Sequence, residues 1–310
     1  MKMHKDHELL QGIDARPRVV SVCESDLALS PLFAGEADCL CLITGVEGTS
    51  YRPVGAGMAV ADTGARFGNL SSGCIDEDVA LHGIEALQSG AGKTLRYGAG
   101  SPFMDLKLPC GGGLDVTLIP TPEPEVLSSM QTRLQARTPV TVSVSEEGRL
   151  VAGVADGASL ILTVKPRLRA LIFGSGEEPR HFARLAQAAD LSVTTYLSDA
   201  SGPYEHLLIG NAWPEGETPD GRTAVAVFFH DHDRETALLS HALRSDAFYI
   251  GAQGSERART LRSYALQANG LSEADIARMV QPFGYIRRAK SPRDLAVGVL
   301  AQVLDHGRAR

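Results

Sequence analysis

Long hydrophobic runs are missing from this sequence of 310 residues. Nowhere do the roughly 20 consecutive apolar residues that a membrane-spanning helix needs occur, and residues 1–20 lack the apolar core of a signal peptide. The five cysteines are an odd number without the spacing of a disulfide framework, as is usual in a reducing compartment. From these absences we expect a cytoplasmic protein with no membrane as a partner.

An excess of positive charge is also missing. The sequence has 30 Lys and Arg against 37 Asp and Glu, which gives a net charge of −7. Such a chain does not attract polyanions broadly, so we expect no nucleic acid as a partner. The sequence contains no Gly-x-Ser-x-Gly elbow, no Walker loop and no His-Glu-x-x-His pair. These absences argue against the common hydrolases and metalloproteases.

The length and composition suit two globular domains. Hydrophobic residues make up 44% of the chain, which is an ordinary globular value, and 310 residues allow two domains of roughly 100–200 residues each. The polar, proline-bearing stretch KPRLR (165–169) resembles a domain boundary. We therefore predict one domain over residues 1–165 and a second over 166–310, whose last helix docks on the first domain.

The order of the predicted elements differs between the two domains. Before the boundary, short strands broken by glycine dominate, as in 38–44, 114–120 and the hairpin 138–155. After it, strands and helices alternate from 170–176 to 247–255, which is typical of a parallel sheet with right-handed crossovers. We predict an α/β protein with an N-terminal mixed α+β domain, followed by a Rossmann-like domain with a doubly wound parallel sheet.

Cys74 lies in the stretch NLSSGCIDED (69–78), between a glycine turn and a helical pattern. A helix N-terminus lowers the pKa of a thiol, because its free N–H groups and positive dipole end stabilise a thiolate. The carboxylates of Asp76, Glu77 and Asp78 oppose this effect, although acids are common in any first turn. Cys74 is therefore either a functional thiol or a small buried residue at a turn.

A second thiol stands in a similar setting. Cys110 precedes three glycines and a strand. Because Gly111, Gly112 and Gly113 have no side chains, a ligand can approach closely and accept hydrogen bonds from their N–H groups. The alternative is a flexible hairpin. Together with Cys74, this turn can hold a soft metal centre or a ligand that carries sulfur and phosphate.

One arginine and three further cysteines complete the first domain. Arg52, in EGTSYRPVGAGM (47–58), is either a fork for phosphate or carboxylate or an ordinary solvated side chain. Cys39 and Cys41 alternate in a buried strand without a second Cys or His pair nearby, so we expect them to pack rather than bind zinc. Cys23 is also predicted in the core.

The turn GSGEEP (174–179) follows a strand and opens a helix, which is the context of a dinucleotide fingerprint. Glu177 and Glu178 put negative charge where a pyrophosphate belongs. Leu197 occupies the place of the ribose-binding acid, and Asp199 comes two residues later. A scaffold with weak or no nucleotide binding is the alternative. The candidate nucleotide contacts of this turn are Gly174 and Gly176.

A second glycine turn, GAQGSERAR (251–259), also feeds a helix. The helix N-terminus and the guanidinium groups of Arg257 and Arg259 can meet an anion. The candidate nucleotide contacts here are Gly251, Gly254 and Ser255.

Taken in this order, the motifs resemble those of the XdhC/CoxI family. The resemblance covers about residues 38–304. The segments that carry it are EGTSYRPVGAGM, GNLSSGCIDEDVA, LPCGGGLDVTLIP, ALIFGSG, YIGAQGSERAR and KSPRDLAVGVLAQVL.

The resemblance implies a maturation factor for molybdoenzymes. Its cargo would be the molybdenum cofactor (molybdopterin), which it would help to sulfurate and deliver to an apoenzyme of the xanthine dehydrogenase type. Cys74 and Cys110 occupy the cysteine positions of the family motifs and are the candidate contacts to molybdenum or its sulfur. The implied partners are the molybdoenzyme apoprotein, a cysteine desulfurase and a second copy of the chain. The remaining candidate cofactor contacts are Arg52, Ser71, Ser72, Gly73, Gly111, Gly112 and Gly113.

Two other functions stay open. The first is an NAD(P)-dependent oxidoreductase that uses residues 174–179, although Glu177 and Glu178 argue against NAD(P) binding. The second is a thiol-based sulfur-transfer protein with Cys74 as the acceptor. We favour an accessory chaperone over an enzyme.

Overall fold

The computed structural model describes residues 17–101, 111–229 and 234–308. The chain divides into two compact units, Met1–Pro166 and Arg167–Arg310. In the described parts of the chain, none of the helices combines the length and the apolar character that crossing a membrane requires.

In its described residues, the first unit contains two sheets and three α-helices. Its strands are β1 (Arg18–Cys23), β2 (Cys39–Glu47), β3 (Gly57–Val60), β4 (Arg66–Gly68), β5 (Lys93–Gly98), β6 (Gly113–Pro120), β7 (Val140–Val144), β8 (Leu150–Ala152) and β9 (Leu160–Lys165). Its helices are α1 (Leu29–Ala34), α2 (Asp76–Ser89) and α3 (Pro124–Gln135).

Side-chain alternation along β2 explains how these layers stack. The five-stranded sheet has the order β4-β3-β2-β6-β5, and the four-stranded sheet has the order β1-β9-β7-β8. Cys39 and Cys41 belong to a core with Val79 of α2, whereas Leu40 and Leu42 belong to a core with side chains of the four-stranded sheet. Successive side chains point to opposite faces of a strand, so the apolar first half of β2 is buried on both sides.

The antiparallel order brings several loops to one end of the five-stranded sheet. Gly113, at the start of β6, pairs with Glu47 at the end of β2 and with Gly98 at the end of β5. At the end of β4, Gly68 pairs with Met58 of β3, so the loop after β4 leaves in the same direction. We call this the motif end of the sheet, because the cysteine and glycine motifs flank these strand ends.

The second unit is a parallel sheet with helices on both faces. Its strands are β10 (Arg169–Gly174), β11 (Ser192–Leu197), β12 (Glu205–Leu207), β13 (Thr223–Phe228) and β14 (Tyr249–Ala252). Its helices are α4 (Glu177–Ala188), α5 (Glu235–Leu243), α6 (Glu256–Ala268), α7 (Glu273–Ile276) and α8 (Pro292–Gly307).

The strand order β12-β11-β10-β13-β14 is that of a doubly wound sheet, and every adjacent pair is parallel. Leu171 and Phe173 share a core with α5 and α6, while Ala170 and Ile172 share a core with α4 and α8. The predicted fold class is confirmed. The short strand β12 was missed because three residues with mostly exposed side chains carry no clear periodicity.

Candidate functional site

The loop that connects β4 to α2, residues 69–75, is organised by one buried carboxylate. Asp76 is the first residue of α2 and is only 8% exposed. Its Oδ1 accepts hydrogen bonds from the backbone N–H of Leu70 (3.2 Å) and Ser71 (3.0 Å) and from the Ser71 hydroxyl (3.0 Å). The carboxylate therefore points back into the loop and fixes its path.

The Ser71 hydroxyl continues this internal network. Its oxygen accepts from the backbone N–H of Gly73 (3.0 Å) and of Ile75 (3.3 Å). The N–H groups of Ser71 and Gly73, predicted as part of a ligand cradle, are thus already bonded inside the loop. Within the described residues, the loop's N–H groups without a partner are those of Asn69, Ser72 and Cys74.

Cys74 is exposed, and it stands two residues before α2 begins. Its Sγ lies 3.8 Å from the Ser72 hydroxyl. The thiol and its N–H are therefore both available to a ligand, beside the positive end of a 14-residue helix. A rigid loop that presents one free thiol suits contact with a soft metal or its sulfur.

The glycine turn at the start of β6 packs against the end of β2. Gly111 is exposed with φ of 69°, which glycine adopts without strain. A Cβ on Gly112 would lie only 2.6 Å from the carbonyl oxygens of Glu47 and Thr49, so a side chain has no room there. Cys110, the candidate partner thiol, lies outside the described residues, and its role stays a prediction.

Arg96 holds the glycine turn in place. Gly113 leaves the space that the Arg96 guanidinium occupies, because a Cβ there would clash with it. The guanidinium contacts both oxygens of Asp115 (3.1 and 3.2 Å), a carboxylate oxygen of Glu47, and the Ala99 carbonyl (2.8 Å). This cation is fully engaged with protein groups, so it braces the motif end of the sheet.

Arg52, the predicted anion fork, is tied to an acid. Its Nη2 donates to the Asp26 carboxylate (3.0 Å) and carbonyl (3.3 Å), and its side chain is 25% exposed. Its Nε is buried without a hydrogen-bond partner among the described residues. Asp26 therefore engages one end of the guanidinium and competes with a ligand anion for Arg52.

The remaining described cysteines are placed for packing. Cys39 and Cys41 are fully buried, and Cys23 is half-buried beside the Ser25 hydroxyl. A hydrogen bond with Cys39, reinforced by burial, raises the pKa of the Cys41 thiol well above its ordinary value. Within the described ranges, no group of three or more His, Cys, Asp or Glu side chains is arranged to hold a metal ion.

In the second unit, protein groups occupy the dinucleotide turn. The Gly176 N–H donates to Asp199 Oδ2 (3.1 Å), and Arg180 Nη1 contacts the same oxygen (3.0 Å) and the Gly176 carbonyl (2.8 Å). Gly174 has a packing role, since a Cβ there would lie 2.7 Å from the Phe228 carbonyl oxygen. The N–H group that a pyrophosphate would use is therefore bonded to a carboxylate.

Arg180 also pairs with Glu205 at the edge strand. The distances are 2.8 Å from Nε to Oε1 and 3.1 Å from Nη2 to Oε2, a bidentate geometry. This pairing, with help from the N–H groups of Ser201 and Gly202, lowers the pKa of Glu205 to about 2.

Of the three candidate residues in the second glycine turn, one packs in the interior and two are exposed. A Cβ on Gly251 would lie 2.7 Å from Cε2 of Phe283, so this glycine is needed for packing. Gly254 and Ser255 are exposed, and the Ser255 hydroxyl caps α6 by accepting from the Ala258 N–H (3.2 Å). Glu235 and Arg262 form a buried ion pair beside this turn, which the sequence does not signal because the partners lie 27 residues apart.

Two other residues at the motif end were also missed. Asp76 looks in the sequence like any acid in a first helical turn, and only the folded loop distinguishes it from its neighbours. Arg96 lies in a strand without any motif. Its pairing with Asp115 across two strands cannot be recognised in the sequence until the strand pairing is known.

The family models match both units. The chain matches the XdhC and CoxI family over residues 32–98 and the XdhC Rossmann domain over residues 170–303. The molybdenum cofactor insertion chaperone PaoD of Escherichia coli (strain K12) is 32% identical over 285 residues, which cover 89% of this chain and 85% of that protein. The chain therefore belongs to the XdhC and CoxI family, and the resemblance inferred from its motifs is confirmed.

More distant relatives also match most of this chain. A protein of Bacillus subtilis (strain 168), named as a probable xanthine dehydrogenase component, is 23% identical over 313 residues, covering 86% of this chain and 92% of that protein. A crystal structure described as a xanthine dehydrogenase from Bacillus halodurans superposes with a TM-score of 0.74 at 20% identity. The match covers 92% of this chain and 96% of that chain, and it shows the fold.

Proposed function

We propose that this protein binds the molybdenum cofactor and delivers it to an apoenzyme of the xanthine dehydrogenase type. The observation that carries the proposal is the exposed thiol of Cys74, held on a braced loop at the motif end of the sheet. The relative named as a molybdenum cofactor insertion chaperone supports the same function, since it matches most of both chains.

The described residues suit part of the cargo well. The cofactor is an anionic pterin with a phosphate, a dithiolene and a molybdenum–sulfur bond. The Cys74 thiolate is a soft ligand for the metal or its sulfur, and the N–H groups of Ser72 and Cys74 are free to donate to an anionic oxygen. Arg52 is the third candidate contact, and Asp26 competes with the cargo for its guanidinium.

Release is as important to a delivery protein as binding. A metal held by several protein ligands dissociates reluctantly, whereas a single thiol and a few backbone N–H groups make an exchangeable site. The described part of the site is of the second kind, since it offers the exposed Cys74 thiol and backbone N–H groups. This arrangement favours transfer over permanent storage.

A transfer assay tests the delivery function. The purified protein is loaded with cofactor, freed of unbound ligand and mixed with a xanthine-dehydrogenase-type apoenzyme, and the enzyme activity is followed. We expect loaded protein to activate the apoenzyme faster than an equal amount of free cofactor does. Equal rates, or no activation, would contradict the proposal.

Help with sulfuration is the finer part of the proposal, and it also depends on Cys74. The Cys74 thiolate would attack the outer sulfur of a persulfide on a cysteine desulfurase. The sulfur–sulfur bond of the donor would break, and the donor thiolate would leave. Incubation with a loaded desulfurase should add the mass of one sulfur atom to the intact protein, and the Cys74→Ser variant should show no such increase. An unchanged mass in the wild type would remove sulfur transfer from the function.

A further inference from the structure

A cavity of about 400 Å³ lies beside the second glycine turn, in the second unit. Its walls come from the turn before α6, from the segment 282–289 and from Leu295 of α8. This volume falls within the range of small-molecule sites, roughly 300–1,000 Å³. The dinucleotide turn at Gly176 is not among its described lining residues.

The charge of the cavity is positive. Arg259, Arg287 and Arg288 line it, and none of the described lining residues is an acid. Across the described ranges, none of these three guanidinium groups pairs with a carboxylate. Arginine that has no acid partner in a concave site is the usual receptor for a phosphoryl group.

Backbone and side-chain groups add to this field. Gly254 and Ser255, at the N-terminal end of the 13-residue helix α6, line the cavity. The N–H groups of a first helical turn favour an anion. Gln253 also lines the cavity, and its Oε1 is buried without a hydrogen-bond partner in the described structure. That oxygen requires a donor, such as a hydroxyl or N–H group of a ligand.

The wall opposite the helix is held firmly. The buried Gln302 side chain donates to the Pro282 carbonyl (3.0 Å) and accepts from the Gly284 N–H (2.9 Å) and the Tyr249 hydroxyl (2.9 Å). A Cβ on Gly298 would lie 2.9 Å from the Ile286 backbone nitrogen, so the segment sits directly on α8. The segment that carries Arg287 and Arg288 is therefore preorganised.

We infer that this cavity binds a nucleoside diphosphate. The arginines and the α6 N-terminus take the phosphoryl group. The side chains of Phe229 and Phe283, which line the cavity, provide the apolar surface for the ring. This site goes beyond the proposed cofactor delivery, and its test needs no molybdenum cofactor.

Calorimetric titration of the full chain at low salt tests the inference, with ADP, CDP and inorganic pyrophosphate as probes. We expect saturable binding of at least one nucleoside diphosphate, about tenfold or more tighter than that of pyrophosphate. Added salt should weaken it. The R259A/R287A double variant should bind about tenfold or more weakly, whereas Arg257→Ala, which lies on the same helix outside the cavity, should stay within about twofold.

Three results would overturn the inference. One is the absence of saturable binding for every probe. Another is equal affinity in the R259A/R287A and Arg257→Ala variants. The third is pyrophosphate binding as tightly as the nucleoside diphosphates, because it would leave the ring without a role.

Discussion

At the scale of single residues, Asp76 fixes the conformation of the loop that carries the Cys74 thiol. The sequence places three acids together after Cys74, and helix statistics explain all three equally well. In the structure, Asp76 is buried in the loop, whereas Glu77 is exposed. The sequence singled out Cys74 but left open whether it is a functional thiol or a small buried residue. The carboxylate that positions it depends on a loop conformation that no local pattern specifies.

Replacing Asp76 should loosen the loop. The Asp76→Ala variant loses three hydrogen bonds to a largely buried carboxylate, so we expect its free energy of unfolding to fall by about 2–4 kcal/mol. Its cofactor retention should also decrease, and urea unfolding and bound-pterin assays measure the two effects. Glu77→Ala, at an exposed position, should change stability by less than about 0.5 kcal/mol. Equal stability of the two variants would show that Asp76 does not brace the loop.

At the scale of elements, the dinucleotide turn has the expected strand, glycine turn and helix, but protein side chains contact it where a nucleotide would. The strand, glycine turn and helix were predicted correctly around Gly174 and Gly176. The side chains over the turn could not be read from the sequence, because Asp199 and Glu205 reach Arg180 from 19 and 25 residues away. The sequence alone did show that Glu177 and Glu178 place negative charge where a dinucleotide-binding turn would hold a pyrophosphate.

The ion pair between Arg180 and Glu205 should make stability depend on pH. The folded-state pKa of Glu205 is lowered to about 2, below the ordinary value of about 4.3. Its contribution is therefore present above pH 4.3 and lost as the pH falls from about 4 to about 2. We expect Glu205→Gln to be less stable than the wild type at neutral pH, with the difference shrinking over that acidic interval.

Chemical denaturation at a series of pH values measures this difference. Glu215→Gln is the matched control, because Glu215 is exposed and has no ion pair among the described residues. A gap between wild type and Glu205→Gln that stays constant from neutral pH to pH 2 would exclude the pair as its source.

At the scale of the whole molecule, each hydrophobic core belongs to one compact unit. Among the residues that the structure describes, two cores draw on Met1–Pro166 alone and two on Arg167–Arg310 alone. The change from glycine-broken strands to alternating strands and helices made the two fold types predictable. The sheet order of the first unit was not predictable, because its pairings join strands that lie far apart in the sequence.

Because the cores are separate, each half should fold alone. We expect residues 1–166 and 167–310, produced separately, each to unfold in one cooperative transition. Circular dichroism during denaturation, with dye binding to exposed apolar surface, provides the measurement. A half that binds dye strongly and melts without a transition would mean that its core needs the rest of the chain.

Cofactor retention by the purified protein tests the central claim most directly. The wild type, Cys74→Ala and Cys23→Ala are produced in a host that makes molybdenum cofactor, separated from free ligand by gel filtration, and assayed for bound pterin and molybdenum. We expect the wild type and Cys23→Ala to retain similar amounts and Cys74→Ala to lose most of its cofactor, while its stability changes by less than about 0.5 kcal/mol. A wild type without pterin would contradict cofactor binding, and full retention by Cys74→Ala would contradict the role of the thiol.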